Sequence, residues 1–351
     1  MNKVIDSWLK RYFSNHEAIV LGAIFIATIL IFKVMGNVLV PVIVSIAISY
    51  LLFSLVKKLE KIGFSTTIAA VLVFILFIGL LLLILLWLLP VCWNEIVRLV
   101  AEIPNMLSRA QELIARMQTT FPMLGSMEEI LQHQVTMIGG YLLNSGSHLV
   151  SFSATSLVSI VTVITYLILV PLLIFFFLRD GRKIASWASH FLPKRRHVLN
   201  QLWQELQVKL RCYIYGKLVE IIIVSAISII SFRMLGLRYA VLFGSLAGLA
   251  GLVPYIGTVV VTIPIVIVAL VQWGGTEHFL YILLAHGIIS ILNANLLVPM
   301  LFSEVMNLHP LAIILAVLIF GSLFGLWGIV FAIPLVTMAD LILQLWPRGE
   351  E

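Results

Sequence analysis

The chain has 351 residues, of which 62% are hydrophobic and only 11% are charged, and its formal net charge is +6. A soluble domain of this size needs more charge on its surface, so the composition excludes an ordinary globular protein and indicates one that faces lipid. The positive charge is explained by Lys and Arg retained on the cytoplasmic side of a membrane, and we expect no nucleic-acid partner.

The N-terminal third contains three predicted membrane helices, at residues 18–34, 38–56 and 66 to about 90. Each approaches the ~20 apolar residues that cross the hydrocarbon of a bilayer. The alternating pattern of a membrane barrel is absent, so helices are the only spanning structure left. No small-residue cleavage site follows the first apolar stretch, and we expect it to be a retained helix rather than a signal peptide.

A polar insert of mixed charge follows at residues 94–154. Its apolar residues recur at alternating steps of three and four, which predicts a helix with a heptad seam over residues 94–117. A second helix at about residues 127–143 would complete a hairpin. We expect an extracytoplasmic helical insert whose seam is covered by this second helix or by a neighbouring subunit. The seam consists of Ile96, Leu99, Ile103, Met106, Ala110, Leu113 and Met117.

Two further membrane helices are predicted at about residues 155–178 and 218–235, separated by a basic stretch at residues 179–217. That stretch has Trp187 and Phe191 among its cations, a composition that suits a helix lying on an anionic lipid surface. We expect it to be a cytoplasmic, interfacial segment. The chain is thus divided into helices 1–3 at residues 1–93, the insert, and helices 4–8 at residues 155–351.

Two of the last three apolar blocks are too long for a single crossing. Residues 239–271 and 311–345 exceed the ~20 residues that a straight helix uses at 1.5 Å per residue. Their interruptions free backbone groups that need protein or a hydrated cavity around them, and paired broken helices mark binding sites in transporters. Long tilted helices with closely packed glycines are the alternative. The interrupting residues are Pro254, Tyr255, Gly257, Gly325, Gly328 and Pro334.

The orientation follows from the distribution of the cations. With about eight crossings and both termini inside, sixteen of the 22 Lys and Arg residues lie on the cytoplasmic side. Short loops rich in Lys and Arg remain in the cytoplasm, so this distribution favours a cytoplasmic N-terminus and places the insert outside.

Ionisable side chains at membrane depth are costly, and each is a candidate functional group. Glu220 lies in the predicted helix at residues 218–235, three positions after Lys217. The pair is either a salt bridge at the membrane interface or a gate, ion site or proton site. His286 lies in the block at residues 279–301, where a histidine held by one carbonyl and a proton relay are the two interpretations.

Amide side chains occur deeper in the same block. Asn293 and Asn295 precede Pro299. Amides in a membrane helix either join neighbouring helices by hydrogen bonds or line a polar path. We therefore include these three residues in the candidate translocation path.

No motif of an enzyme is found in the sequence. It has no nucleophile elbow, no Walker phosphate loop and no Cys/His cluster with the spacing of a metal site. We expect no catalytic residue, no cofactor, no metal and no ATP-driven transport by this chain alone. Cys92 and Cys212 are predicted on opposite sides of the membrane and are not expected to form a disulfide.

The C-terminal third carries three motifs in a recognisable order. Residues 251–257 read GLVPYIG, residues 295–310 read NLLVPMLFSEVMNLHP, and residues 325–334 read GLWGIVFAIP. These motifs, with the layout of three helices, an insert and five helices, resemble the autoinducer-2 exporter family, and the details resemble its PerM-type permeases. The resemblance covers essentially the whole chain.

The resemblance implies a multi-pass permease of the bacterial cytoplasmic (inner) membrane that exports a small polar solute such as autoinducer-2. It also implies a homo-oligomer, with membrane lipids and a small polar solute or ion as partners. Two alternatives stay open: a sodium/proton antiporter, as some members are described, and a non-transporting scaffold with an envelope partner. Members often have an acidic residue near the position of Asn293, where this chain has an amide.

Overall fold

A computed structural model describes residues 40–120, 157–190, 197–302 and 308–344, together with positions 137 and 140. Within these residues the chain is entirely helical, as predicted. The helices are α1 Val40–Lys61, α2 Thr66–Leu83, α3 Leu89–Thr120, α4 Leu157–Ser189, α5 His197–Met234, α6 Ala240–Leu249, α7 Ile256–Trp273, α8 Glu277–Leu292, α9 Val298–Phe302, α10 Pro310–Val330 and α11 Ala332–Gln344.

The described residues contain seven helices that are long and apolar enough to cross a membrane. Many of their large apolar side chains are exposed, as expected of helices that face lipid rather than water. The chain is therefore an all-α, multi-pass membrane protein. The first predicted helix, at residues 18–34, lies outside the described residues.

The first half of the described chain is held together by a small apolar core. α1, α2 and α4 contribute Val56, Ala69, Ala70, Ile174 and Leu178, all of them almost fully buried. The alanines let the helices approach closely, the usual means of helix association where lipid is as apolar as the side chains. The predicted helices at residues 38–56 and 155–178 are confirmed, and both continue beyond their predicted ends.

The prediction that a helix ends near Pro90 is wrong. α2 passes into α3 through a π-helical turn, Ile84–Leu88, in which the Leu89 N–H donates to the Ile84 carbonyl five residues back. A proline ring clashes with the carbonyl four residues before it, and widening the helix by one residue relieves that clash. The membrane helix and the first helix of the insert are thus continuous.

The helix predicted over residues 94–117 is confirmed, but its apolar seam is covered differently from the prediction. Ile103 is buried, and Leu99 and Met106 pack against a core cluster built by α5, α6, α7 and α8. Among the described residues, this cluster covers Leu99 and Met106, and it is a partner that the prediction did not name. The second helix at residues 127–143 lies almost entirely outside the described residues, as do the side chains of Leu113 and Met117.

The basic stretch at residues 179–217 is not a separate interfacial helix where the structure describes it. Its first part continues α4 to Ser189, and its last part is the N-terminal half of α5. The Arg182 guanidinium pairs with the Glu60 carboxylate at the end of α1, at 3.2 Å. The sequence misled because the cations interrupt the hydrophobic pattern without interrupting the helices.

The block at residues 239–271 is broken, as predicted, and folds back on itself. α6 ends in a 3₁₀ turn, Ala250–Leu252, and α7 begins after Tyr255, whose φ is +61°. At the open end, the Gln272 side chain donates to the Gly236 carbonyl and accepts from the Arg238 N–H, at 2.8 and 2.9 Å. These bonds join the two ends, so α6 and α7 are the antiparallel arms of a helical hairpin, called hairpin 1.

The block at residues 311–345 is also broken and also folds back. Gly325 has φ +61° and ψ −142°, a conformation that is essentially restricted to glycine. Ala316 and Val317 pack against Ala332 across the turn, which makes α10 and α11 a second helical hairpin, hairpin 2. Gly325 lies within α10, so the first straight arm of hairpin 2 is only residues 310–324, about 15 residues and roughly 22 Å long. α10 counts among the seven membrane-length helices by its total length, but this straight arm is shorter than a ~30 Å hydrocarbon layer.

Candidate functional site

The candidate site is centred on a charged pair in the middle of α5. Glu220 is 2% exposed and the Lys217 side chain is 12% exposed, and the Lys217 Nζ lies 2.7 Å from the Glu220 Oε2. The two residues are three positions apart, which puts them on one face of a helix. A carboxylate buried to this extent needs partners for both oxygens, because burial of an unpaired charge costs several kcal/mol, about 3–5 when a partner is removed.

Hairpin 1 supplies one partner through its tip. The Lys217 Nζ also donates to the Gly251 carbonyl, at 2.6 Å. A Cβ atom built on Gly251 would lie 3.0 Å from the Glu220 Oε1, and one on Gly248 would lie 2.0 Å from the Ser225 hydroxyl oxygen. Both glycines are therefore needed for the close approach of hairpin 1 to α5.

α8 supplies the partner of the second carboxylate oxygen. The Asn293 Nδ2 donates to the Glu220 Oε1 at 3.1 Å, while the Asn293 Oδ1 is buried without a hydrogen-bond partner in the part of the chain that the structure describes. Asn293 opens a second π-helical turn, Asn293–Leu297, which comes just before Pro299. As at Pro90, the turn accommodates a proline without ending the helix.

Phe302 of α9 contacts both the Lys217–Glu220 pair and hairpin 2. The Lys217 Nζ lies 5.1 Å from the centroid of the Phe302 ring, which also packs against Gly216 and Tyr213. Ile313 of hairpin 2 belongs to the same buried cluster as Phe302. The pair is thus surrounded by α5, the tip of hairpin 1, and the helix at residues 277–302, which contains the second π turn and precedes hairpin 2. We call Lys217, Glu220, Gly251 and Asn293 the α5 ion-pair cluster.

The structure brings only some of the sequence-predicted path residues into this cluster. Asn293, Glu220 and Lys217 meet there. Asn295 is exposed, and its Nδ2 donates at 2.9 Å to the Ile291 carbonyl of its own helix. Pro299 is exposed on the same helix.

The other predicted path residues lie at the two hairpin turns. Pro254 and Tyr255 follow the tip of hairpin 1, and the Tyr255 side chain is 53% exposed. Gly257 is buried, and a Cβ built on it would lie 1.9 Å from the Ala250 carbonyl oxygen. These glycine and proline positions shape the tip that carries Gly251.

At hairpin 2 the break is at Gly325 rather than at Pro334. Pro334 lies in the first turn of α11, where its missing N–H needs no partner. Gly328 is buried in the fold-back, and a Cβ built on it would lie 1.8 Å from the Phe320 carbonyl oxygen. The proline therefore starts a helix, and the glycines make the turn.

His286 is held by a side chain rather than by a carbonyl. Its Nε2 lies 2.8 Å from the Thr262 hydroxyl oxygen, which also donates to the Thr258 carbonyl at 2.7 Å. The His286 Nδ1 is buried and has no hydrogen-bond partner among the described residues. Since the Thr262 proton serves Thr258, the arrangement fits a neutral imidazole that donates from Nε2 and joins α7 to α8.

A second polar cluster lies where α3 meets the start of hairpin 1. The Glu102 carboxylate accepts from the Tyr239 hydroxyl and pairs with the Arg238 guanidinium, and Glu95 accepts from the Leu242 N–H at 2.7 Å. Burial, followed by the bond to Glu102, raises the pKa of Tyr239 to about 12, so the phenol remains a donor at neutral pH. The cluster borders an open cavity of about 530 Å³.

Removal of Glu102 should loosen this junction. We expect Glu102→Ala to cost about 1–2 kcal/mol of stability, because it leaves the Tyr239 hydroxyl without its acceptor while the exposed Arg238 returns to water. Thermal unfolding in detergent checks this. Arg109→Ala, an exposed position on the same helix, is the control and should change stability little. Equal effects of the two substitutions would contradict the role of the junction.

Sequence reasoning missed Gly251, Gly248 and Phe302 as parts of the site. Gly251 begins the motif at residues 251–257 and Gly248 lies just before it, but nothing in the sequence relates them to α5 rather than to a turn. Among the described residues, no three His, Cys, Asp or Glu side chains come together as a metal site.

Comparison with known proteins gives a consistent result. The sequence profile of the AI-2E family transporters matches residues 23–348. The chain is 38% identical over 350 residues to PerM of Escherichia coli (strain K12), which its name provisionally calls a permease. The alignment covers 100% of this chain and 99% of PerM. The chain is 27% identical over 292 residues to YueF of Bacillus subtilis (strain 168), provisionally called a transport protein, covering 82% of this chain and 78% of YueF. The expected resemblance is confirmed, and the chain belongs to the AI-2E transporter family.

Proposed function

We propose that the protein is a permease that carries a small polar solute, of the autoinducer-2 type, out of the cell across the cytoplasmic membrane. The path runs beside the α5 ion-pair cluster and between the two hairpin turns. It includes the predicted residues Asn293, Pro254, Tyr255 and Gly257, with Gly325, Gly328 and Pro334 shaping hairpin 2. Asn295 and Pro299 lie on the exposed side of the helix that carries Asn293.

The observation that carries the proposal is the docking of a broken helix tip onto a buried charged pair. A helix interrupted at membrane depth frees carbonyl and N–H groups, and these persist where they are covered by protein or line a cavity. Here the freed end contacts Lys217 and Glu220 rather than an apolar surface. A scaffold has no need of such an expensive arrangement, whereas a transporter uses it to bind and release polar groups.

Flux measurements in proteoliposomes test the proposal. The purified protein should carry a small polar solute such as autoinducer-2, with no requirement for a sodium or pH gradient. Dependence on either gradient, and its loss in Glu220→Gln, would favour the antiporter instead. An absence of flux for every solute would favour the scaffold.

We expect the working protein to be a homo-oligomer.

The two asparagines of the π turn at residues 293–297 provide a matched test of the path. Asn293→Leu should lower flux at least tenfold, because it removes the donor to the Glu220 carboxylate, a bond worth about 1.5–3 kcal/mol to a charged group. Asn295→Leu is the control and should leave flux close to normal, since among the described residues its amide donates to a carbonyl of its own helix and not to the ion-pair cluster. If Asn295→Leu alone reduced flux, the path would follow the exposed face of the helix.

The side of the membrane on which α3 ends is tested by labelling. In a variant whose native Cys92 and Cys212 are replaced by serine, Arg109→Cys should react with an impermeant thiol reagent added to intact spheroplasts. Arg109 is exposed, so access to the thiol reports its side of the membrane rather than burial. Labelling only after the membrane is made permeable would reverse the proposed orientation.

A further inference from the structure

The Lys217 ammonium lies among groups that together form a site for a bound cation. Its Nζ is 2.7 Å from the Glu220 Oε2, 2.6 Å from the Gly251 carbonyl oxygen and 5.1 Å from the centroid of the Phe302 ring. A carboxylate, a carbonyl and an aromatic face all attract positive charge. The Asn293 amide donates to the other carboxylate oxygen, the Glu220 Oε1, at 3.1 Å.

The Gly251 carbonyl also lies at the kind of helix end where carbonyls bind ions in transporters. Gly251 lies in the 3₁₀ turn with which α6 ends, at the tip of hairpin 1. The C-terminal end of a helix carries partial negative charge, and unwound carbonyls at broken membrane helices are the groups that coordinate sodium in transporters. In this chain the positive charge next to the Gly251 carbonyl is the ammonium of the Lys217 side chain.

We propose that Lys217 is a built-in cation: its ammonium fills a site for a monovalent cation such as Na⁺, made of the Glu220 carboxylate and the Gly251 carbonyl. The tether keeps hairpin 1 docked on α5 without an ion from solution. Removal of the ammonium leaves a buried carboxylate with oxygen neighbours, which is the donor set that Na⁺ takes. The role of the site in transport rests on the proposed function, whereas the existence of the cation site does not.

A consequence separates this protein from a sodium-coupled transporter. A site filled by a covalently attached cation has no vacancy to couple to a sodium gradient. The stability of the unmodified protein should therefore be the same in sodium and in an organic cation. A difference between the two cations should appear only when the Lys217 ammonium is removed.

The experiment measures ion binding through stability rather than through flux, so it gives an answer even if the solute is unknown or transport is absent. Thermal unfolding of the purified protein in detergent is followed in NaCl and in an equal concentration of choline chloride. The variants are Lys217→Met, the double variant Lys217→Met/Glu220→Gln, and Lys209→Met as a control lysine on the same helix. Ligands that bind only the folded state raise the unfolding temperature.

We expect NaCl to raise the unfolding temperature of Lys217→Met by about 3 °C once Na⁺ exceeds its dissociation constant tenfold. The unmodified protein, Lys209→Met and the double variant should show no such difference between the two salts. A folded Lys217→Met that does not respond to Na⁺ overturns the proposal. So does a sodium response in the unmodified protein that Glu220→Gln abolishes, an outcome that can be read even if Lys217→Met fails to fold.

Discussion

Replacing Gly328 with alanine should prevent hairpin 2 from closing. The added methyl group would lie 1.8 Å from the Phe320 carbonyl oxygen, and both are backbone-fixed positions that no rotamer change can separate. The arms would have to move apart along the packing of Ala316, Val317 and Ala332. We expect a loss of more than about 4 kcal/mol, or no folded protein, because overpacking against backbone has no inexpensive relaxation.

The same argument applies to Gly257 at hairpin 1, where the methyl would lie 1.9 Å from the Ala250 carbonyl oxygen. Gly325→Ala isolates a different effect. Its surroundings are open, so only the φ of +61° resists substitution, and the expected cost is about 1–3 kcal/mol. Gly287→Ala is the matched control, because its surroundings are open and its φ is ordinary. It should be neutral or gain about 0.5–1 kcal/mol.

Thermal unfolding in detergent, with the amount of folded protein from size-exclusion chromatography, ranks the four variants. The expected order of loss is Gly328 and Gly257 first, Gly325 next and Gly287 last. If Gly328→Ala were as stable as Gly287→Ala, the arms of hairpin 2 would not pack as closely as the structure has them.

The fold was predictable from the sequence to the extent that hydrophobic length and Gly/Pro interruptions determine it. The apolar blocks predicted the helices. The two blocks that are too long for one crossing, at residues 239–271 and 311–345, predicted the two breaks. The continuity of α2 with α3 was not predictable, because Pro90 is normally a reason to end a helix and the π turn that absorbs it has no sequence pattern of its own. The continuation of α4 to Ser189 was hidden in the same way by its cations.

The site was predictable only in part, for a related reason. Buried charge in an apolar helix identified Lys217 and Glu220, and amides identified Asn293, because such groups are rare at membrane depth. The partners that neutralise them are a backbone carbonyl at Gly251 and the ring of Phe302. Every residue has a carbonyl and most apolar helices have phenylalanines, so only the packing of hairpin 1 and α9 on α5 distinguishes these two.

Among substitutions of a single charged residue, Lys217→Met should cause the largest loss of stability. Its loss should exceed that of Glu220→Gln. Lys217→Met leaves the Glu220 carboxylate 2% exposed with one amide donor, and we expect a loss of about 3–5 kcal/mol in sodium-free buffer. Glu220→Gln leaves an ammonium that is 12% exposed on a long, flexible side chain that can move toward water. Its expected cost is about 1–3 kcal/mol, mainly the lost charge-assisted hydrogen bond.

The double variant Lys217→Met/Glu220→Gln completes the cycle. It buries no net charge, and the glutamine oxygen still accepts from Asn293, so the loss should be smaller than that of Lys217→Met alone. Unfolding of all four proteins in choline chloride measures the coupling. Additive losses would mean that the two charges do not stabilise each other across their 2.7 Å contact. A larger loss for Glu220→Gln than for Lys217→Met would mean that the ammonium, rather than the carboxylate, is the group that cannot reach water.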